Sequence, residues 1–325
     1  MSLTLTNPLR PALLAAARSE RIERTVSRSR LTRSLVTRFV PGAAEDAVMD
    51  AVQKLLADGR SISVDYLGED ISHASEADKT VTAYLSLLAA YRRLELRRLE
   101  LPVTDRARRL EISLKLSALG QSLPGGQELA LVNARIICQA AAEAGVWVNV
   151  DAEDHTTTDS TLAIVAELRR EFPDVATVLQ AYLHRTEADC AALSGAGSRI
   201  RLCKGAYAEP AEVAFQGKEE VDASYLRCLR VLMQGEGYPM VASHDPRMIA
   251  AAQAYAAEAG RGTDDYEIQM LFGIRDAEQT RLVGEGVTVR TYVPFGDDWY
   301  GYFMRRLAER PANLIFFLRS LVGKK

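Results

Sequence analysis

One stretch of the chain decides its fold class: residues 111–153, EISLKLSALGQSLPGGQELALVNARIICQAAAEAGVWVNVDAE. It begins with a β-rich run at 111–119, continues with a helical pattern at 128–145, and ends with a second β-rich run at 146–153. A strand, a helix and a strand in this order predict two parallel strands that are joined by a crossover helix. The chain is therefore expected to fold as an α/β protein.

The same unit recurs along most of the chain. Further β-rich runs stand at 61–67, 177–183, 199–207, 239–244, 266–272 and 287–294, with helical patterns between them. Eight units in about 250 residues predict a (βα)8 TIM-like barrel with N-terminal helices and a C-terminal helix packed beside it. A doubly wound open sheet is the alternative, but no GxGxxG follows a strand here. We expect two parts, an N-terminal helical segment at 1–60 and a catalytic barrel domain at 61–325.

Composition argues against several classes of function. A formal net charge of −3 and a pI near 5.9 give no reason to expect a nucleic-acid partner. The four cysteines form no CxxC pair, which indicates reduced thiols in a cytoplasmic enzyme. The chain has neither a P-loop for a nucleoside triphosphate nor an HExxH zinc motif, so no metal is expected. No apolar run is long enough to span a bilayer.

Polar side chains collect where the predicted strands end. In a (βα)8 barrel the carboxyl ends of all strands meet at one rim, which carries the active site. Each of these residues alone has a structural explanation, such as an internal ion pair between Lys115 and Asp151. Together they favour a site, because burying so many charges without a ligand costs free energy. The set comprises Lys115, Asp151, Glu153, Gln180, Arg201, Lys204, Tyr207, Ser243, His244, Gln269, Arg290 and Tyr292.

A second candidate lies in the stretch TYVPFGDDWYGYFMRRLAER at 291–310. At helical spacing Tyr302, Arg305, Arg306 and Glu309 share one face. That face is either a solvated basic patch braced by Glu309 or a pair of guanidinium groups for a small carboxylate, since a guanidinium fork matches two carboxylate oxygens. Basic residues at the strand ends also suit phosphates and an electron-rich ring, and the tyrosines suit an apolar ring.

Seven fragments in order carry a family resemblance. The most specific are RLCKGAY at 201–207 and YVPFGDDWYGYFMRRLAERPAN at 292–313. The others are LKLSALG at 114–120, NVDAED at 149–154, LQAYLHR at 179–185, ASHD at 242–245 and EIQMLFG at 267–273. With these fragments the chain resembles the proline dehydrogenases, specifically the single-function bacterial type, whose fold is a (βα)8 barrel that holds FAD.

The resemblance implies a role for each matching residue. Asp151 and Arg201 would be catalytic, with Arg201 beside the reactive edge of the flavin. Residues implied for L-proline are Lys115, Tyr207, Leu271, Tyr292, Tyr302, Arg305, Arg306 and Glu309, with the arginine pair on the carboxylate. Residues implied for FAD are Ala152, Gln180, Arg201, Lys204, Gly205, Ala206, Ser243 and His244.

The resemblance also implies a reaction and partners. L-proline would lose a hydride to FAD and become Δ1-pyrroline-5-carboxylate, in the first step of proline catabolism to glutamate, and a quinone would take the electrons. A pyrroline-5-carboxylate dehydrogenase would be a partner if the product is handed over directly. The terminal LIFFLRSLVGKK at 314–325 either packs on the barrel or makes a peripheral contact with the inner membrane face of a bacterium.

Two other classes of function stay open at this point. One is a different barrel enzyme, such as an aldolase or a phosphate-binding isomerase, with Lys115 or Lys204 as the Schiff-base residue. The other is a barrel without catalysis whose polar rim binds a regulatory ligand. Borohydride trapping tests the first, and ligand binding without reduction of a dye would support the second.

Overall fold

The computed structural model describes residues 36–42, 44–68, 71–94 and 108–309, with side chains up to residue 304. The strands are β1 Ser61–Tyr66, β2 Leu110–Leu114, β3 Trp147–Val150, β4 Ala176–Gln180, β5 Arg199–Cys203, β6 Tyr238–Ala242, β7 Glu267–Leu271 and β8 Thr288–Phe295. The helices are α1 Glu45–Ala57, α2 Ala74–Arg93, α3 Gly126–Ala144, α4 Thr158–Arg169, α5 Thr186–Leu193, α6 Lys218–Gln234, α7 Pro246–Glu258, α8 Asp276–Gly284 and α9 Trp299–Glu309.

The eight strands form a closed parallel barrel in sequence order. Each strand pairs with the next, and β8 closes the barrel on β1 from Ser61 opposite Arg290 to Tyr66 opposite Phe295. The predicted (βα)8 architecture is therefore confirmed. Except for β8, the strands are shorter than the β-rich runs that predicted them; for example, the run at 111–119 is β2 followed by a 3-10 turn at Ser117–Leu119. The polar residues after each strand leave the ladder and enter the loops of the rim.

Alternation along the strands separates two environments. On β1, Ile62 and Val64 belong to the apolar core between the barrel and the helices. Ser63 and Asp65 have the opposite parity and reach polar partners from other strands across the barrel interior. All four are fully buried. The helices thus enclose the barrel in apolar layers, while polar residues remain inside it.

The lower part of the barrel interior holds an ion network, which we define as Glu111, Arg199, Arg201, Glu267 and Arg290. Arg201 Nη2 donates to Glu111 Oε1 at 2.7 Å, and Arg290 Nε donates to Glu267 Oε1 at 2.7 Å. Burial raises the pKa of Glu111, but the guanidinium groups of Arg290, Arg199 and Arg201 outweigh it and lower the pKa to about 2. Such interiors are more often filled by branched apolar side chains. Here paired charges fill it.

Residues 36–40, which we call the N-terminal strap, pack on α9. Val36, Phe39 and Val40 share an apolar cluster with Tyr302 and Phe303, and the Phe39 and Phe303 ring centroids are 6.2 Å apart. The strap also covers the loop after β7, where a Cβ at Gly273 would lie 1.7 Å from the carbonyl oxygen of Arg38. The boundary at residue 60 therefore stays a proposal, with the strap in contact with the barrel.

Within the described ranges, we find no helix with the length and apolar character that crossing a bilayer requires. The segment 314–325, for which packing on the barrel and peripheral membrane contact were the two predictions, lies outside the described residues.

Candidate active site

A cavity of about 450 Å³ opens at the carboxyl ends of the strands, and we call it the rim cavity. Its volume lies in the range of small-molecule and cofactor sites, about 300–1,000 Å³. Every residue that the family resemblance assigns to the site, and whose side chain is described, lines it: Lys115, Asp151, Ala152, Gln180, Arg201, Lys204, Gly205, Ala206, Tyr207, Ser243, His244, Leu271, Tyr292 and Tyr302. The side chains of Arg305, Arg306 and Glu309 are outside the described part of the chain, although these residues continue α9 after Tyr302.

Asp151 accepts hydrogen bonds on both of its carboxylate oxygens. Its Oδ1 accepts hydrogen bonds from Ser113 Oγ at 2.8 Å, Asn149 Nδ2 at 2.9 Å and Arg201 Nη1 at 2.8 Å. Its Oδ2 accepts from the Tyr292 hydroxyl at 2.8 Å. Donors on four strands therefore fix the position of this carboxylate.

Lys115 and Asp65 complete what we call the polar floor, namely Asp65, Lys115, Asp151, Arg201 and Tyr292. The Lys115 ammonium pairs with Asp65 Oδ2 and lies 3.5 Å from Asp151 Oδ2 and 3.3 Å from the Tyr292 hydroxyl. Burial raises the pKa of Asp65 to about 6; Lys115 opposes the rise and the charge of Asp151 adds to it. Burial, together with the charges of Asp151 and Asp65, holds the pKa of Tyr292 well above its usual value, so its hydroxyl stays a donor.

Replacing Asp65 by asparagine is expected to change how stability depends on pH. The pKa of this carboxyl rises from 3.8 to about 6 on folding, so the folded state binds its proton more tightly. Its contribution to stability is complete below about pH 4 and is lost as the pH rises through about 6. Two pKa units correspond to roughly 3 kcal/mol. Urea denaturation should therefore show the wild type losing free energy of unfolding of that order, relative to Asp65→Asn, between those pH values.

Comparing the wild type with Asp65→Asn separates the contribution of Asp65 to the pH dependence of stability from the contributions of other acids. Glu111 has its pKa lowered from 4.5 to about 2, so its contribution to stability is lost only as the pH falls between those values. That loss is common to the wild type and Asp65→Asn and cancels in the difference. A difference that stays constant as the pH rises past 6 would contradict the raised pKa.

The turn after β5 brings bare backbone to the cavity. Gly205 has φ of +110°, and a Cβ there would lie 2.3 Å from the Tyr182 ring. Tyr182 is itself fixed, because its hydroxyl donates to Glu209 Oε1 at 3.1 Å and its backbone N–H donates to the Lys204 carbonyl at 2.9 Å. Only glycine meets both demands, a left-handed conformation and contact with a ring. The turn therefore approaches a ligand without side-chain bulk.

Gly205→Ala is expected to cost about 2–4 kcal/mol of unfolding free energy, because it adds left-handed strain and a clash with Tyr182. Chemical denaturation measures the loss. The matched control is Gly195→Ala, since a Cβ at Gly195 meets nothing within 4 Å. The double variant Gly205→Ala, Tyr182→Leu should recover part of the loss by removing the clash. Equal stability of the two alanine variants would refute the tight contact.

A charged group flanks the other side of the cavity. Lys204 Nζ pairs with Asp222 and lies 3.1 Å from Asp245 Oδ2. Asp245 caps α7 by accepting from the Arg247 backbone N–H at 3.0 Å, and hydrogen bonds from Arg247 are the main cause of its lowered pKa. Lys204 and the start of α7 thus place a cation and a helix N-terminus at the same edge, where phosphate groups bind well.

His244 is held on that edge by one backbone donor and one side-chain donor. Its Nε2 accepts from the Leu271 N–H at 2.9 Å, and Arg275 Nη1 donates to its carbonyl oxygen at 2.8 Å. Arg275 has φ of 54°, a left-handed value that is uncommon for a residue with a side chain. The loops after β6 and β7 are therefore fixed to each other at the cavity wall.

Two of the polar strand-end residues do not reach the cavity. Arg290 is the third residue of β8 and joins the ion network below the floor. Glu153 accepts from the Ser117 backbone N–H at 3.0 Å and fixes the loop after β2.

The structure also adds residues that the site prediction lacked. The main ones are Asp65 and Asp245, which both line the cavity. Asp65 has the inward parity of Ser61 and Ser63 in the run SISVDYL, which is the signal that could have revealed it. Asp245 follows His244 and precedes a proline, the pattern of a helix N-cap.

Comparison with known proteins gives a consistent result. The family model described as Proline dehydrogenase matches residues 48–319. Proline dehydrogenase of Deinococcus radiodurans is 37% identical over 316 residues, which cover 96% of this chain and 97% of that protein. Proline dehydrogenase 2 of Bacillus subtilis (strain 168) is 35% identical over 287 residues, which cover 88% of this chain and 90% of that protein.

Solved structures share the barrel. Proline utilization A from Bdellovibrio bacteriovorus, inactivated by N-propargylglycine, matches with a TM-score of 0.80 and 24% identity over 94% of this chain and 36% of that one. A mutant of proline utilization A from Bradyrhizobium japonicum matches with a TM-score of 0.70 and 21% identity over 88% of this chain and 32% of that one. The chain thus spans about a third of these longer proteins. At these identities the likeness shows a common fold.

Proposed function

Because this chain belongs to the proline dehydrogenase family, we propose that it oxidises L-proline to Δ1-pyrroline-5-carboxylate with FAD bound in the rim cavity. The observation that carries the proposal is the polar floor, where the cations of Lys115 and Arg201 meet the carboxylates of Asp65 and Asp151. A small zwitterion needs such matched charges beside an apolar wall. The reaction is the first step of proline catabolism to glutamate.

The cavity wall suits FAD. Lys204 and the N-terminus of α7 supply positive potential for the pyrophosphate, and Gly205 lets the backbone approach the cofactor. Arg201 lies under the Tyr292 ring, with its guanidinium carbon 5.3 Å from the ring centroid, and is proposed to sit beside the reactive edge of the flavin. The remaining cofactor residues are Ala152, Gln180, Ala206, Ser243 and His244. When bound, FAD supplies a hydride acceptor.

The substrate is proposed to bind between the polar floor and α9. Arg305 and Arg306 follow Tyr302 by three and four positions, so they belong to the same helical face, and we assign them the carboxylate, with Glu309 bracing the pair. Tyr207, Leu271, Tyr292 and Tyr302 would pack on the pyrrolidine ring and exclude water. Asp151 and Lys115 would orient the amine, which places C5 toward the flavin.

Electron transfer beyond the flavin is proposed from the family resemblance alone. A quinone would re-oxidise FAD, and a pyrroline-5-carboxylate dehydrogenase would consume the product. Peripheral membrane contact through 314–325 belongs to the same proposal.

Flavin spectroscopy tests the function. Purified protein given FAD should show bound-flavin bands at visible wavelengths, and anaerobic L-proline should bleach them with stoichiometric formation of Δ1-pyrroline-5-carboxylate. D-proline is the control. It has the same carboxylate and ring with the opposite configuration, so it should not reduce the flavin if the bound carboxylate fixes the orientation of the ring. A protein that binds no FAD, or whose flavin is not reduced, would overturn the proposal.

The ion pairs at both lysines argue against the Schiff-base alternative. Lys115 is engaged with Asp65 and Lys204 with Asp222, whereas a Schiff-base lysine needs an amine that is directed at the substrate carbonyl. A regulatory barrel without catalysis would bind proline without bleaching the flavin, so the same titration separates it.

A further inference from the structure

The strongest unexplained feature of the rim cavity is the carboxylate of Asp65, because only one of its two oxygens accepts a hydrogen bond from the described residues. It lies near the end of β1, it is fully buried, and it lines the cavity. Oδ2 accepts from the Lys115 ammonium, whereas Oδ1 accepts no hydrogen bond from the described residues. A buried carboxylate oxygen without a donor costs free energy, so a ligand that brings a donor is favoured at this point.

The second carboxylate of the floor cannot serve in the same way. Asp151 already accepts from Ser113, Asn149 and Arg201 through Oδ1 and from Tyr292 through Oδ2. Both oxygens of Asp151 are therefore engaged by donors of the protein, whereas Oδ1 of Asp65 is not. Two acids in one cavity thus have opposite environments, and such a contrast commonly separates a proton-accepting residue from a charge-stabilising one.

We propose that Asp65 is the proton acceptor of the site, taking the proton of the substrate's secondary ammonium on Oδ1 while Oδ2 holds Lys115. This inference rests on the proposed function, because it requires a secondary amine as substrate. In the step, one N–H bond of the ammonium breaks, one O–H bond forms on Asp65, and the electron pair stays on nitrogen. Nothing is oxidised or reduced. The neutral amine can then assist the loss of hydride from the neighbouring carbon.

The charges around Asp65 fit this role. It is faced by Lys115 after β2, Asp151 after β3, Tyr292 on β8 and Tyr84 on α2. The Lys115 cation disfavours a second cation beside it, so the bound substrate is pushed toward its neutral amine. The pKa of Asp65, raised to about 6 mainly by burial, also suits a base that is ionised in neutral solution and still basic enough to accept a proton.

Asp65→Asn in the FAD-loaded enzyme tests the proposal through the pH dependence of kcat/KM for L-proline. In the wild type, kcat/KM should fall tenfold per pH unit below about pH 6 as Asp65 becomes protonated. In Asp65→Asn this acid limb should be absent, and kcat/KM at pH 8 should be lower by a factor of about 100 or more. Asp65→Glu should keep the limb, since it keeps a carboxylate. His244→Gln is the control, because a histidine could also cause an acid limb. This variant should keep the limb, even if its rate is lower.

Binding of tetrahydrofuran-2-carboxylate gives a second readout that needs no turnover. This ring-oxygen isostere of proline has no proton to give, so it should prefer protonated Asp65 and bind the wild type more weakly as the pH rises above about 6. The asparagine amide can donate to the ring oxygen at any pH. By calorimetry, Asp65→Asn should therefore bind the isostere at least about tenfold more tightly than the wild type at pH 8, with no change in Kd between pH 6 and pH 8. Mere structural damage would weaken binding instead.

The outcomes separate the two levels of inference. A wild-type flavin that L-proline does not reduce overturns the proposed function, and with it the substrate of Asp65. If proline does reduce the flavin, an acid limb that Asp65→Asn retains, together with an unchanged or weaker Kd for the isostere, overturns the role of Asp65 alone.

Discussion

Replacing Arg201 by methionine is expected to lower the free energy of unfolding by about 3–5 kcal/mol, because it leaves buried carboxylates without their partner. Arg201 is fully buried and bonds to Asp151 at 2.8 Å and to Glu111 at 2.7 Å. The loss should be measured by urea denaturation of the flavin-free protein. Flavin reduction by L-proline, measured in a single turnover well below the melting temperature, should slow by a factor of about 100 or more as Asp151 and Tyr292 lose their fixed positions.

Arg201→Lys provides the control, since it keeps a charge but not the planar fork. It can satisfy one carboxylate and not both, so its loss of stability should lie between those of the wild type and the methionine variant. A methionine variant as stable as the wild type would show that the floor does not depend on this guanidinium. One that is unstable but reduces its flavin at the normal rate would confine Arg201 to a structural role.

Arg305→Met and Arg306→Met are each expected to raise KM for L-proline by a factor of about 10–150, which is the loss of a charge-assisted hydrogen bond of 1.5–3 kcal/mol. The physical reason is the loss of a fork that fits the two oxygens of a carboxylate. Steady-state kinetics measure the change, and the visible spectrum should still show bound flavin in both variants.

Arg281→Met is the matched control for these two variants. Arg281 also lies on a helix, but its side chain is 46% exposed and forms ion pairs with Glu278 and Glu285 at the surface. Its loss should leave KM unchanged, because exposed ion pairs on a helix contribute little. If both variants of α9 behave like Arg281→Met, the arginine face is a solvated patch and the carboxylate binds elsewhere.

The barrel could be predicted because its signal is local and repeated. Each β-rich run is bounded by helical patterns, and the repeat count alone favours closure. Two helices, α5 (Thr186–Leu193) and α8 (Asp276–Gly284), have a weak local signal because they are only two or three turns long. For such short segments tertiary packing, more than propensity, supplies the stability.

The sequence allowed a prediction of which residues meet at the site, but not of which side chains pair with each other. Residues at strand ends meet in any closed barrel, so Lys115 and Asp151 were recognisable from position alone. Which carboxylate holds Lys115 depends on β1 lying between β2 and β8, a contact between distant parts of the chain. Asp65 was missed because it lies inside the run SISVDYL and not after its end, where the other candidates were sought. The pairings of the ion network could not be predicted either, because its members lie on β2, β5, β7 and β8, which are far apart in the sequence.

Closure of the mouth by distant parts of the chain has a consequence for biosynthesis. The N-terminal strap packs on α9, and β1 pairs with β8. The first described segments therefore cannot form these contacts until the last ones have been synthesised. At about 5–20 residues per second, translation separates them by roughly 10–50 s. During that interval Phe39 lacks its native packing partner Phe303, so its apolar ring stays without that contact. If the proposed function holds, FAD could bind only after the ribosome has delivered α9.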